Sequence, residues 1–130
     1  MKILLCINDA MHGVGESLER IVGNVIPKGS LWICHSLKDF PQTLHRCPWG
    51  GCKIAVILAT NKQELEEFVS LRELLDGLSI ILILPDRRNE TISRGHCLYP
   101  RFVTYVDSDF KDVAAVLEKM IRNASDKDYS

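Results

Sequence analysis

Four aspartates each follow a run of apolar residues of strand length, which is where chains of alternating strands and helices place their ligand-binding groups. They are Asp9, Asp86, Asp107 and Asp109. Carboxylate oxygens are the ligands that hard cations such as Mg²⁺ prefer, so Asp9, Asp86 and Asp107 are candidate metal ligands if their strand ends meet. Aspartates also cap helices and turns at such positions, and this commoner role is the alternative.

Cysteine and histidine side chains are concentrated in the segment 35–52. The residues are His35, His45, Cys47 and Cys52. Thiolate and imidazole groups bind zinc, but structural zinc sites usually contain closely spaced cysteine pairs, which this segment lacks. A loop in which these cysteines are incidental is the alternative. Cys6 and Cys34 lie inside apolar runs, which indicates buried, reduced thiols and no structural disulfide.

Positive charge is concentrated after the fourth apolar run. The residues are Arg87, Arg88, Arg94, His96 and Arg101. They predict a basic strip around the fourth predicted helix, and a solvated loop is the alternative. Over the whole chain, 16 Lys and Arg residues balance 17 Asp and Glu residues, for a net charge of −1. This balance gives no general attraction to nucleic acid or to anionic membranes, so neither is a predicted partner.

The elements that must position these residues alternate between strand and helix. Five apolar runs of strand length predict buried strands at 3–7, 31–34, 54–58, 79–84 and 101–106. Apolar residues at helical spacing predict helices at 14–26, 36–44, 61–75, 87–96 and 110–121, of which the fourth has the weakest periodicity. Gly13 and Gly15 supply only two glycines of a dinucleotide-binding fingerprint, so no nucleotide cofactor is predicted.

Five strand–helix units favour parallel strands joined by right-handed crossovers, with helices on both faces of one sheet. The predicted fold is therefore α/β, a three-layer, doubly wound, five-stranded parallel sheet in the order 2-1-3-4-5. With 130 residues, one domain is expected over residues 1–124, followed by a polar, disordered tail at 125–130. The first apolar run is too short for a signal peptide and no run reaches the roughly 20 residues of a membrane span, so a cytoplasmic protein is predicted.

Two segments resemble the receiver domains of response regulators, which have this flavodoxin-like fold. The segment 2–9, Lys-Ile-Leu-Leu-Cys-Ile-Asn-Asp, is similar to the first receiver strand and the acidic pair that follows it. The segment 105–110, Tyr-Val-Asp-Ser-Asp-Phe, is similar to the passage from strand five into helix five. In element order and length the resemblance covers nearly the whole chain.

The resemblance implies a set of phosphorylation residues, most of which this chain lacks. Receivers hold Mg²⁺ on acidic residues after strand one and accept the phosphoryl group on an aspartate that ends strand three. A hydroxyl after strand four and a lysine after strand five contact the phosphoryl oxygens. Here Asp9 with Asn8 matches part of the acidic pair, but strand three ends without a carboxylate at Ala59 and Thr60. Pro85 stands at the hydroxyl position and Ser108 at the lysine position.

These departures indicate a degenerate receiver, or pseudo-receiver, that is not an enzyme. The predicted function is a signalling or regulatory module of the two-component type that acts by protein–protein association. Because receivers bind partners and dimerise through the fourth helix, fifth strand and fifth helix, the resemblance implies a homodimer or a signalling partner on that face. The candidate partner-binding residues are Arg87, Arg88, Arg94, Arg101 and Tyr105. The alternative is a small-molecule or metal-dependent α/β enzyme, or a ligand sensor, that uses the acidic strand ends.

Overall fold

The structure, a computed structural model, describes residues 2–7, 12–26, 31–34, 52–73, 75 and 78–129. Five strands and four helices lie in these ranges. In chain order they are β1 Lys2–Cys6, α1 His12–Val25, β2 Leu31–Cys34, β3 Cys52–Leu58, α2 Lys62–Ser70, β4 Ser79–Leu84, α3 Asn89–His96, β5 Phe102–Tyr105 and α4 Lys111–Tyr129.

The five strands form one parallel sheet in the order β2-β1-β3-β4-β5. This is the predicted order of a flavodoxin-like α/β fold. Parallel strands at the centre of such a sheet are covered on both faces, which is why β1, β3 and β4 are continuous apolar runs rather than alternating ones. All six residues Ile54–Ala59 and all five residues Ile80–Leu84 are buried.

Alternate side chains of the strands enter two separate cores. On one face, Leu4, Ile57 and Leu82 pack in a cluster with Leu65 of α2 and Leu98 after α3. The opposite face carries a second cluster, which contains side chains of the strands, of α1 and of α4; its members include Leu5, Val56, Ile83, Leu18 and Leu117. Because burial of one such side chain contributes about 1.5–3 kcal/mol, these two layers provide most of the driving force for the doubly wound arrangement.

The structure differs from the predicted elements at the end of the third predicted helix. The apolar spacing predicts a helix to residue 75, whereas α2 ends at Ser70. The amide groups of Arg72, Leu75 and Leu78 donate to carbonyls three residues earlier, so tighter turns replace the helix. These turns still deliver Leu75 to the core, which explains why its apolar spacing continues the helical pattern.

Two other segments for which the sequence makes predictions are the second predicted helix and the carboxyl-terminal tail. The second predicted helix, 36–44, lies outside the described residues. At the other end of the chain, α4 extends to Tyr129 and so includes most of the segment for which the polar composition predicts a tail. None of the described helices is both long enough and apolar enough to cross a membrane.

Helix α3 lies unusually close to strand β4, and Gly95 makes this approach possible. A Cβ atom added at Gly95 would lie 3.0 Å from one Cδ atom of Leu82 and 3.1 Å from one of Leu84. Both leucines are fully buried in the central part of the sheet, so they have little room to move. A side chain at residue 95 must therefore push α3 away from the sheet.

Replacement of Gly95 by valine should lower the free energy of unfolding by about 1–3 kcal/mol, because the added methyl groups overpack the contact with β4. Gly23→Val in α1 is the matched control, since a Cβ atom there meets nothing within 4 Å. Valine has a slightly better helix propensity than glycine, so the control should be neutral or weakly stabilising. Urea unfolding of both variants measures the difference, and equal midpoints would contradict the close approach.

Candidate functional site

The carboxyl ends of the strands meet at one edge of the sheet, where open α/β proteins bind their ligands. Backbone hydrogen bonds continue the sheet one residue past the strands. The amide of Ala59 donates to Ile83 at 3.0 Å, and that of Val106 donates to Leu84 at 3.0 Å. The segments that follow β3, β4 and β5 are therefore held side by side. Asp9, predicted to join them, lies outside the described residues.

The segment after β3 forms a closed hydrogen-bonded cap instead of presenting a free polar group. Ala59 is fully buried. The amide and the hydroxyl of Thr60 both donate to Oε1 of Glu64, at 2.9 Å and 2.7 Å. In return, the amide of Glu64 donates to Oδ1 of Asn61 at 2.8 Å. This arrangement is a variant of the capping box that begins α2, so Glu64 acts here as a helix cap.

Asp86 has a similar local role after β4. Its Oδ1 accepts a hydrogen bond of 2.9 Å from the amide of Arg88, which turns the chain into α3. A hydrogen bond from the side chain of Thr91 is the main cause that lowers the pKa of Asp86, and the Arg88 amide adds to it. The carboxylate is thus stabilised in its charged form by groups that begin α3.

Asp107 is paired with an arginine on the neighbouring segment. Nη1 of Arg87 lies 2.5 Å from Oδ2 of Asp107, and the Arg87 guanidinium carbon lies 4.3 Å from the centre of the Tyr105 ring. The hydrogen bond from Arg87 lowers the pKa of Asp107, and the same bond raises the pKa of Arg87. Both charged side chains are about 60% exposed, so the pair contributes modestly to stability but joins the β4–α3 segment to the end of β5.

The structure brings two of the three predicted metal ligands to the same edge, each already partnered within the protein. Among the residues that the structure describes, no three Asp, Glu, His or Cys side chains form a group that could hold a metal ion. The predicted cysteine and histidine ligands cannot be compared with the structure. His35, His45 and Cys47 lie outside the described residues, and only the backbone of Cys52 is described. Metal binding at Asp9, Asp86 and Asp107 therefore stays a prediction.

The predicted basic strip is divided among three places. Arg87 and Arg88 follow β4 at the carboxyl edge, where the guanidinium of Arg87 lies over the Tyr105 ring. Arg94 points to α2, where its Nε and Nη2 contact the two carboxylate oxygens of Glu66 at 2.7 Å and 2.6 Å. Arg101 is exposed before β5, with its amide bonded to Ile80 at the amino end of β4. Arg94 and Arg101 are therefore separated from Arg87 and Tyr105, which are in contact with each other.

The bidentate pair between Arg94 and Glu66 could not be predicted from the sequence. It joins α2 to α3 across a groove of about 460 Å³ that Lys62, Asn89, Glu90 and Ser93 also line. A second ion pair, between Lys62 and Glu90, crosses the same groove at 3.3 Å. The hydrogen bond from Arg94 lowers the pKa of Glu66. These contacts depend on how two helices pack, which the spacing of residues within either helix does not reveal.

Replacement of Asp107 by asparagine should make the stability less dependent on pH below the ordinary aspartate pKa. Because Arg87 depresses the pKa of the folded state, the pair stabilises the protein above the unfolded pKa, and the stabilisation is lost as the pH falls through the lowered folded value. The stability difference between wild type and D107N should therefore shrink on acidification. Urea unfolding at a series of pH values measures it.

The control for this experiment is the same substitution in an Arg87→Met protein. Without the guanidinium, the Asp107 carboxylate loses the main cause of its lowered pKa. In the Arg87→Met background, the effect of D107N on the free energy of unfolding should therefore no longer depend on pH in the same way. An unchanged pH profile in the Arg87→Met background would contradict the assignment of the shift to this pair.

Comparison with known proteins identifies the fold. No protein-family model matches the sequence, and no curated protein matches it. One similar crystal structure is of a Burkholderia pseudomallei protein provisionally named as related to pilus assembly, at TM-score 0.64, 18% identity, and coverage of 95% of this chain and 89% of that one. Another is of a Burkholderia thailandensis protein provisionally named as the pilus assembly protein CpaE, at TM-score 0.58, 19% identity, and coverage of 97% and 99%. The chain therefore has a five-stranded parallel α/β fold that these two proteins share along nearly their whole length.

Proposed function

We propose that this chain is a receiver-like module that has lost aspartyl phosphorylation and acts by binding other proteins. The observation that carries the proposal is the absence of a carboxylate side chain directly after β3. Where a receiver has its nucleophilic aspartate, this chain has the buried methyl group of Ala59. The next hydroxyl, on Thr60, is bonded to the carboxylate that caps α2. The position therefore offers no free carboxylate to accept a phosphoryl group.

The other positions of the resemblance support the same conclusion. Pro85, after β4, has no hydroxyl group to contact a phosphoryl oxygen. Ser108, at the position of the receiver lysine, donates to Asp112 at 3.3 Å and accepts from the amide of Phe110 at 3.1 Å. It serves the turn into α4 and provides no positive charge. The nearby cation, Arg87, is already neutralised by Asp107.

The surface that we propose for association is centred on Arg87, Arg88 and Tyr105. Arginine and tyrosine are enriched at the energetic centres of protein interfaces, because they combine a large flat surface with hydrogen-bonding groups. The guanidinium of Arg87 is held over the Tyr105 ring, so little side-chain entropy remains to be lost on binding. Strand β5 is the edge of the described sheet on this side, next to α3 and α4, and a homodimer or a signalling partner would bind this face.

The names of the two similar proteins favour a partner within a multiprotein assembly. At this level of identity the similarity shows the fold alone. We therefore propose that the chain binds other proteins, and we do not assign it to a particular cellular pathway. A signalling module of this kind would act in the cytoplasm. The alternative, an α/β enzyme or ligand sensor with Mg²⁺ on Asp86 and Asp107, would require both carboxylates to exchange their present partners for the ion.

Incubation with acetyl phosphate and Mg²⁺ should leave the mass of the protein unchanged, because no carboxylate ends β3. A phosphorylatable receiver in the same tube serves as the positive control, and intact-mass spectrometry under neutral conditions preserves acyl phosphates. A gain of one phosphoryl group on this chain, at Thr60 or at any carboxylate, would contradict the proposal.

Replacement of Arg87 by alanine should reduce the recovery of the partner at least about tenfold, as truncation of a central interface arginine does. The measurement is quantitative cross-linking and mass spectrometry in the native cells, together with sedimentation of the purified protein to detect a homodimer. Arg20→Ala is the matched control, because Arg20 is an exposed arginine on α1, which is not part of the proposed face. Equal losses in both variants, or a monomer with no cross-linked partner, would rule out this surface.

A further inference from the structure

Two cysteines end neighbouring strands side by side. Cys6 is the last residue of β1, Cys34 is the last residue of β2, and the two are direct partners in the parallel register. Neighbouring strands lie about 4.8 Å apart, and disulfide bonds join residues whose Cα atoms are about 4.4–6.8 Å apart. Both side chains belong to the same core cluster, together with Leu4 and Ile57, so they point to the same face of the sheet. The backbone thus already has the spacing of a disulfide.

In the folded structure, the thiols of Cys6 and Cys34 are reduced and shielded from solvent. Each cysteine is 3% exposed. Burial raises the pKa of Cys6 well above its ordinary value, and the interaction with Cys34 raises it further. A thiol kept protonated in an apolar core is a poor nucleophile. Any reaction must therefore begin from a state in which one of the strands has opened.

Strand β2 is an edge strand, which can open without disruption of the centre of the sheet. It has four residues and pairs, within the described sheet, only with β1. Its first three residues are half-buried, whereas the described side chains of its neighbour β1 are all buried. Edge strands with few buried contacts open at a lower free energy than the core of a sheet. Opening of β2 removes Cys34 from the core and uncovers Cys6.

We propose that Cys6 and Cys34 form an intramolecular disulfide bond in the presence of a low-molecular-weight disulfide, and that opening of β2 controls the rate. One cysteine thiolate attacks a sulfur of the oxidant and releases one small thiol. The second cysteine thiolate then attacks the protein sulfur of the mixed disulfide and releases the second small thiol. The oxidant takes up both electrons, and the two cysteine protons end on the two released thiols. This proposal does not depend on the proposed function.

The bond would lie at the carboxyl ends of the strands, where open α/β proteins bind their ligands. The amide of Ile7 donates to the carbonyl of Cys34 at 3.0 Å, so the two strands stay paired at the level of the cysteines. The segments 8–11 and 35–51 begin there. A covalent link between Cys6 and Cys34 would fix the distance between the points at which both segments leave the sheet.

The test uses the full chain with Cys47, Cys52 and Cys97 replaced by serine, after circular dichroism has shown that it is folded. Treatment with glutathione disulfide should give a product that has no alkylatable thiol, carries no glutathione and is two hydrogens lighter than the reduced protein. Further replacement of either Cys6 or Cys34 by alanine should abolish this product. The proposal is wrong if both thiols persist after the β2 amides have exchanged with deuterium, or if glutathione remains attached to the two-cysteine protein.

A pair of edge-strand variants tests the control by β2. Ile33 in β2 and Val103 in β5 are both half-buried aliphatic residues on opposite edges of the sheet. Ile33→Ala should accelerate disulfide formation about tenfold by removing packing that holds β2 closed. Val103→Ala should leave the rate nearly unchanged. Equal acceleration by both variants would show that global unfolding exposes the thiols, and no acceleration by Ile33→Ala would show that β2 does not control the reaction.

Discussion

The parallel pairing of β1, β3 and β4 is the constraint on which the rest of the structure depends. These strands are apolar on both faces, so each face must be covered by helices before the sheet is stable in water. The residues on alternate sides of each strand divide between two cores, one shared with α1 and α4 and the other with α2 and α3. Because every connection must then return across the sheet, all the segments that follow a strand begin at the same edge.

At that edge, the described polar groups that follow β3, β4 and β5 bond mainly to one another. Thr60 and Asn61 share the cap of α2 with Glu64, Asp86 begins α3, and Asp107 is paired with Arg87. Each contact is individually modest. The contacts of Arg87 with Asp107 and Tyr105 link the β4–α3 segment to the end of β5.

The sequence predicted the order of the sheet because the periodicity of apolar residues and the handedness of crossovers leave few alternatives. It predicted less well wherever the answer depends on the packing between elements. The spacing of arginines around α3 suggested one strip, but Arg94 turns to α2 and Arg101 lies at the other end of the sheet. Cys6 and Cys34 each looked like a single buried cysteine, because nothing in either run specifies the register between β1 and β2.

The measurement that tests the central claim most directly is native mass spectrometry of the protein purified from its own cells without a chelator. One spectrum reports bound metal, small ligands, covalent phosphate and protein partners together. If the carboxyl edge is closed by internal contacts and the chain works by association, the mass will correspond to the unmodified protein, as a homodimer or with a partner protein. A stoichiometric metal ion, a small molecule or a phosphoryl group would contradict that claim.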